Sequence, residues 1–129
     1  MLLASSGRPG EMRHRERVAD MLREEIAVIV AYELDDPRIA SASVTEVKLS
    51  ENLRDASVYI LVEGTDEDAG SALGALRHAA PYIRRQLISS LNIRHAPDLH
   101  FVRDIVEERA LKVDRILEEL EIKDKAEER

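Results

Sequence analysis

With 129 residues and a mass of 14.6 kDa, the chain has enough surface for one hydrophobic core and too little for two. The absence of cysteine excludes disulfide scaffolds, thiolate metal sites and thiol catalysis, and a hydrophobic share of 44% excludes disorder throughout. A formal net charge of −7 argues against indiscriminate coating of nucleic acid.

Residues 1–10, MLLASSGRPG, show no periodicity and carry two glycines and a proline, which predicts a flexible arm. They lack the apolar core of a secretory signal. The longest apolar run, Ile26 to Tyr32, is far short of the roughly 20 residues that span a bilayer. A cytoplasmic protein with no membrane contact is expected. From about Glu11, Val18, Leu22, Ile26 and Ile29 recur at helical spacing, predicting an amphipathic helix that ends before Pro37.

Thr45, Val47 and Leu49, then Ala56, Val58, Ile60 and Val62, alternate with their neighbours, so two strands are expected. Ser50, Glu51 and Asn52 between them suit the turn of an antiparallel hairpin. Asp66 to Asp68 provide an acidic helix start, and an Ala- and Leu-rich helix follows to about Ala80. Pro81 then predicts a break and a second helix, marked by Ile83, Leu87 and Leu91, because proline lacks the N–H that the helical ladder needs. A short third strand is expected around Leu99 and Phe101. Ala110, Val113, Leu117 and Leu120 predict a last amphipathic helix to Ile122, with a frayed charged tail at 123–129. Packing onto its own domain is the expected role of that apolar stripe. Docking onto a partner protein or a second copy, as a protein-interaction module, is the alternative.

Resolved along the chain, the net charge is uneven. Residues 24–70 carry −9 and residues 104–129 carry −4, whereas residues 71–97 hold Arg77, Arg84, Arg85 and Arg94 with no acid. Guanidinium forks bind phosphate oxygens two at a time, so this run predicts an electropositive face, with His78 and His95 as further donors. Arg13, Arg15 and Arg17 on the first helix would extend it if that helix lies alongside. No phosphate loop, dinucleotide fingerprint, zinc-protease helix or serine elbow occurs. His14, His78, His95 and His100 lack paired ligand spacing, and Asp35 and Asp36 before Pro37 read as a solvated turn rather than a metal site. Neither an enzyme nor a cofactor is expected.

The order of elements joins here with particular residues: Arg17-Val18, Glu25-Ile26, Asp36-Pro37-Arg38, the run Asn52-Leu53-Arg54-Asp55-Ala56 leading to Val58-Tyr59, then Ala75-Leu76, Ala79, Ile83-Arg84, Leu87, Arg94, Pro97, Leu99, Phe101 and Asp104. Together they resemble the ribosome-binding factor A family of bacterial small-subunit maturation proteins. The resemblance implies an α+β, KH-like fold of the second type: helix, two strands, helix, kink, helix, strand, with a three-stranded sheet backed by helices. It places the RNA-binding domain at 11–104 and an appended C-terminal helix at 105–122. It implies the 30S ribosomal subunit and 16S rRNA as partners, with an assembly GTPase as a further candidate, and the free chain is expected to be monomeric. The family's Ala-x-Gly kink reads Ala79-Ala80-Pro81 here. Proline still breaks the ladder, but it cannot offer a backbone N–H to phosphate.

Overall fold

The computed structural model describes residues 9–127, apart from the side chains of Pro9 and Glu11; of the arm predicted at 1–10, residues 1–8 lie outside them, while Pro9 and Gly10 already belong to the first helix. Helix α1 spans Pro9–Val28, its proline standing at a first helical position where no N–H is required. Ala19, Leu22, Ile26 and Ile29 form its buried stripe. A π-helical turn at Ile29–Glu33 ends in extended backbone at Leu34. A 3₁₀ turn, Pro37–Ile39, then drives Ile39 into the core.

Strands β1, Ala42–Leu49, and β2, Asp55–Val62, form the expected antiparallel hairpin, with Val47 opposite Val58 and Leu49 opposite Ala56. A bulge falls between Val44 and Glu46. The extra residue, Thr45, donates its hydroxyl to Asp104 Oδ2 at 2.5 Å. Helix α2, Asp66–Leu91, returns the chain so that β3, Asp98–Arg103, pairs parallel to β2, the crossover connection that a parallel pair requires. The sheet order is β1-β2-β3. Ala56, Val58, Ile60 and Val62 of β2 share one face with Leu99 and Phe101 of β3, and α1 and α2 cover that face in a single core. The three-stranded sheet backed by helices is therefore the α+β arrangement expected from the sequence.

Three further sequence expectations need correction. Pro81 does not divide α2 into two elements; one helix runs through it. Leu73 and Leu76 before it, and Ile83 and Leu87 after it, are buried in the same core, so tertiary packing holds both halves where local propensity would part them. The C-terminal helix α3, Ile105–Glu127, extends past Ile122 into the tail expected to fray. Its stripe does not pack onto the domain: none of its residues is buried, and Val113, Leu117 and Leu120 are each more than half exposed. The reason is geometric. Asp104 caps the helix by accepting from Glu107 N–H at 2.9 Å, and Arg103 reaches Glu108 at 2.6 Å and Asp66 at 2.8 Å. These bonds anchor only the first turns, while the helix rises about 1.5 Å per residue away from them.

The hairpin tip is tightly built. Asn52 Oδ1 accepts from Arg54 N–H at 3.0 Å and lies 2.8 Å from the Ser50 hydroxyl, which in turn accepts from Asp55 N–H at 3.1 Å. Leu53 sits at φ 61°, in the left-handed region. That conformation costs an ordinary side chain about 1–2 kcal/mol.

Candidate nucleic-acid interface

Helix α2 is set by its own N-terminus. Thr65 and Asp68 form a reciprocal cap, with Asp68 N–H donating to the Thr65 hydroxyl at 3.1 Å and Thr65 N–H donating to the Asp68 carboxylate at 2.8 Å. These bonds hold the Asp68 carboxyl below its ordinary value. Gly64 enters the cap at φ 128°, where a Cβ would collide with that carboxylate. With the rotation so fixed, Gly70, Gly74, Arg77, His78, Pro81 and Arg85 all emerge on the exposed side of the helix, at the three- and four-residue steps of one face.

The arginines along it divide into two kinds. Arg77 donates from a terminal nitrogen to the carbonyl of Phe101 at 3.1 Å. Arg84 donates through Nε to the Pro97 carbonyl at 3.1 Å and through a terminal nitrogen to the Ala96 carbonyl at 3.0 Å, with the Asp98 carboxylate 3.5 Å away. Both therefore tie α2 to the edge strand β3 and its approach, satisfying carbonyls that a sheet edge leaves open. Arg85 and Arg94 are exposed, and among the described residues neither makes a side-chain hydrogen bond or ion pair. His78 and His95 are exposed too. Ala79 and Ala80 are half-buried beneath the exposed Pro81.

The α1 cluster lies elsewhere. Arg15 lines a groove with Glu16, Asp20, Arg23 and residues of β1, and β1 is the edge of the sheet opposite β3. Arg13 and Arg17 are exposed on the same helix. The structure thus strings Arg77, His78, Arg84 and Arg85 along α2, brings His95 of the following loop to the cleft that Arg84 lines, and places Arg15 against a different edge, in a groove of mixed charge.

Arg38, Lys48 and Arg54 are masked by the twelve acids of the stretch 24–70, and two of the three are arginines. Arg38 grips Asp36 with Nε to Oδ1 at 3.0 Å and a terminal nitrogen to Oδ2 at 2.7 Å. These bonds, and the Arg38 N–H at 3.0 Å, hold the Asp36 carboxyl down at about 2, with the neighbouring His78 a lesser cause. A folded value below the ordinary 3.8 means that the pair stabilises the fold above about pH 4, and that this contribution is lost as pH falls through 2. In melts, Asp36→Asn is expected to lie below wild type near neutrality and to converge with it toward pH 2; a constant gap would refute the pairing. Arg54, the second, stands exposed at the hairpin tip.

Pro81 leaves the Arg77 carbonyl without its helical donor, an arrangement disfavoured by up to about 3 kcal/mol relative to alanine in a helix interior. Pro81→Ala is expected to restore that bond and raise unfolding free energy by about 1–2 kcal/mol, read by denaturant melts; a loss of stability would mean that the ring is packed rather than merely tolerated.

Among the described residues, no group of three or more His, Asp or Glu is placed to hold a metal ion, and no helix is long and apolar enough to cross a membrane. What the interface offers is hydrogen-bond donors and positive charge on a rigid helix.

Comparison with known proteins gives this geometry its relatives. A family model described as ribosome-binding factor A matches residues 14–117. Ribosome-binding factor A of Solibacter usitatus is 44% identical over 105 residues, 81% of this chain and 85% of that one. The protein of the same name from Thermomicrobium roseum is also 44% identical over 105 residues, 81% of each chain. Among solved structures, the crystal structure of ribosome-binding factor A from Thermus thermophilus superimposes with a TM-score of 0.63 at 27% identity, covering 69% of this chain and 93% of that one. A homology model of the Thermus thermophilus factor, fitted into a cryo-EM map of a 30S complex, gives 0.58 at 27% identity, covering 68% and 92%. Since the matched region runs from α1 through the hairpin, the proline-bearing helix and the parallel third strand into α3, the chain belongs to the ribosome-binding factor A family.

Proposed function

We propose that this chain is a non-enzymatic assembly factor that binds the immature 30S subunit through its 16S rRNA and assists processing and late maturation of that RNA in the cytoplasm. One observation carries the reading: a protein of net charge −7 sets exposed Arg85, Arg94, His78 and His95, the two arginines unpaired among the described residues, on and just beyond one helix that is free of acids from Ser71 onward. Phosphate contacts from such a face position a protein on structured RNA, whose shape and 2′-hydroxyls complete recognition. The acidic remainder repels RNA elsewhere and so orients the docking. Arg77 and Arg84 keep α2 seated on β3, with Pro81 shaping the face between them. Family membership supports the choice of target, since a Thermus relative is described in complex with 30S. In this reading the free chain is a monomer, and an assembly GTPase is a further candidate partner.

Deleting the gene is expected to accumulate 16S rRNA precursor and deplete mature 30S subunits; normal rRNA profiles at low and optimal growth temperature would refute the function.

A second reading is favoured by the exposed stripe of α3. If that helix docks a partner protein, a chain truncated after Asp104 loses subunit binding; if the arginine face dominates, it keeps it.

A further inference from the structure

The hairpin tip and the loop before β3 enclose a cleft of about 490 Å³, lined by Asn52, Leu53, Arg54, Arg84, His95 and Asp98 among others. We infer that this cleft takes one unpaired ribonucleotide, held by its phosphate and its base; the inference rests on the RNA-binding reading above and names a second contact for it. The volume falls within the range of small-molecule sites.

Four features point to a nucleotide. Arg54 and Arg84 against Asp98 give the lining one net positive charge, counting His95 as neutral, which matches one phosphodiester and not the several of a duplex groove. Arg84 is pre-positioned, because Nε and one terminal nitrogen are already held by the Pro97 and Ala96 carbonyls; its other terminal nitrogen has no hydrogen bond among the described residues. Arg54 supplies a second guanidinium whose side chain has no partner among them, while its backbone is pinned on both sides, N–H to Asn52 Oδ1 at 3.0 Å and carbonyl from Asp98 N–H at 2.8 Å. Leu53 is 37% exposed at the lip, in a left-handed conformation that glycine or asparagine would adopt more readily. Its apolar side chain offers a surface on which a base face can pack.

Asp98 lies 3.5 Å from Arg84 and is 66% exposed at its side chain. It repels a second phosphate and accepts from a 2′-hydroxyl or an exocyclic amine. Single-stranded, splayed-out RNA is the form in which bases become available to such a contact.

The test uses the full chain, a fluorescein-labelled single-stranded RNA octamer of mixed sequence, and a duplex of the same length. Leu53→Gly removes the apolar lip at a position whose backbone suits glycine, and Arg54→Gln removes one cation from an exposed site, so neither is expected to unfold the chain. Each is expected to weaken octamer binding about fivefold to tenfold, on the scale of one lost contact, while changing duplex binding less than twofold. Unchanged octamer affinity in both variants, with wild type binding, overturns the cleft alone. Failure of wild type to bind either RNA defeats the RNA-binding reading and the cleft with it.

Discussion

A chain carrying Arg85→Glu together with Arg94→Glu is expected to bind small ribosomal subunits about 100-fold more weakly than wild type at physiological salt, with its circular dichroism and melting temperature unchanged. The size follows from charge. Each reversal removes one attraction to a phosphate and adds one repulsion, and a unit pair in water at contact distance is worth about 1 kcal/mol. Two reversals therefore change roughly 4 kcal/mol at low salt, and screening leaves about 2–3 of it, or close to two decades of affinity. The fold is spared because both side chains are exposed and unpaired among the described residues. Arg84 is not a clean position for this test: its guanidinium holds the Pro97 and Ala96 carbonyls, so its reversal would confound binding with loss of the α2–β3 tether. Retained affinity in the Arg85/Arg94 variant would place the interface on another face.

The second large effect concerns the core on which that face is mounted. Phe101 is 1% exposed, lies opposite Val58 in the parallel register and is the largest fully buried side chain. Truncation to alanine removes its transfer free energy and leaves a cavity between sheet and helices, a loss of about 3–5 kcal/mol. For a domain of this size the melting temperature should fall by roughly 10–20 °C. Phe101→Leu, which keeps most of the volume, should lose about 1–1.5 kcal/mol. Equal small losses in both would mean that the α2–β3 seam collapses around the gap. Because the Phe101 carbonyl also receives Arg77, the same residue fills the core with its side chain and steadies the covering basic helix with its backbone.

Much of this was legible in the residues. Alternation from Ala56 to Val62 gave β2 and its inner face, and the acid-free run from Ser71 to Pro97 pointed to the helix that carries the exposed cations. What was not legible depended on contacts between distant segments. Arg77 and Phe101 are 24 residues apart, and Arg84 and Pro97 are 13 apart; composition cannot distinguish an arginine that holds a carbonyl from one that waits for phosphate. Thr45 read as an ordinary strand residue, and only its pairing register reveals the bulge that brings it to Asp104. Arg54 was hidden by the acids around it. The stripe of α3 was visible, but periodicity reports an apolar face and not whether the chain turns back to cover it. Pro81 marked a local preference that packing on both sides overrode.

The most direct test of an oriented, electrostatic RNA face is the salt dependence of binding to purified immature 30S subunits. Neutralising about four phosphates at roughly 0.7–0.9 each predicts a slope of about −3 in log affinity against log salt, reduced toward −1 in the Arg85/Arg94 variant. A wild-type slope near zero would contradict it.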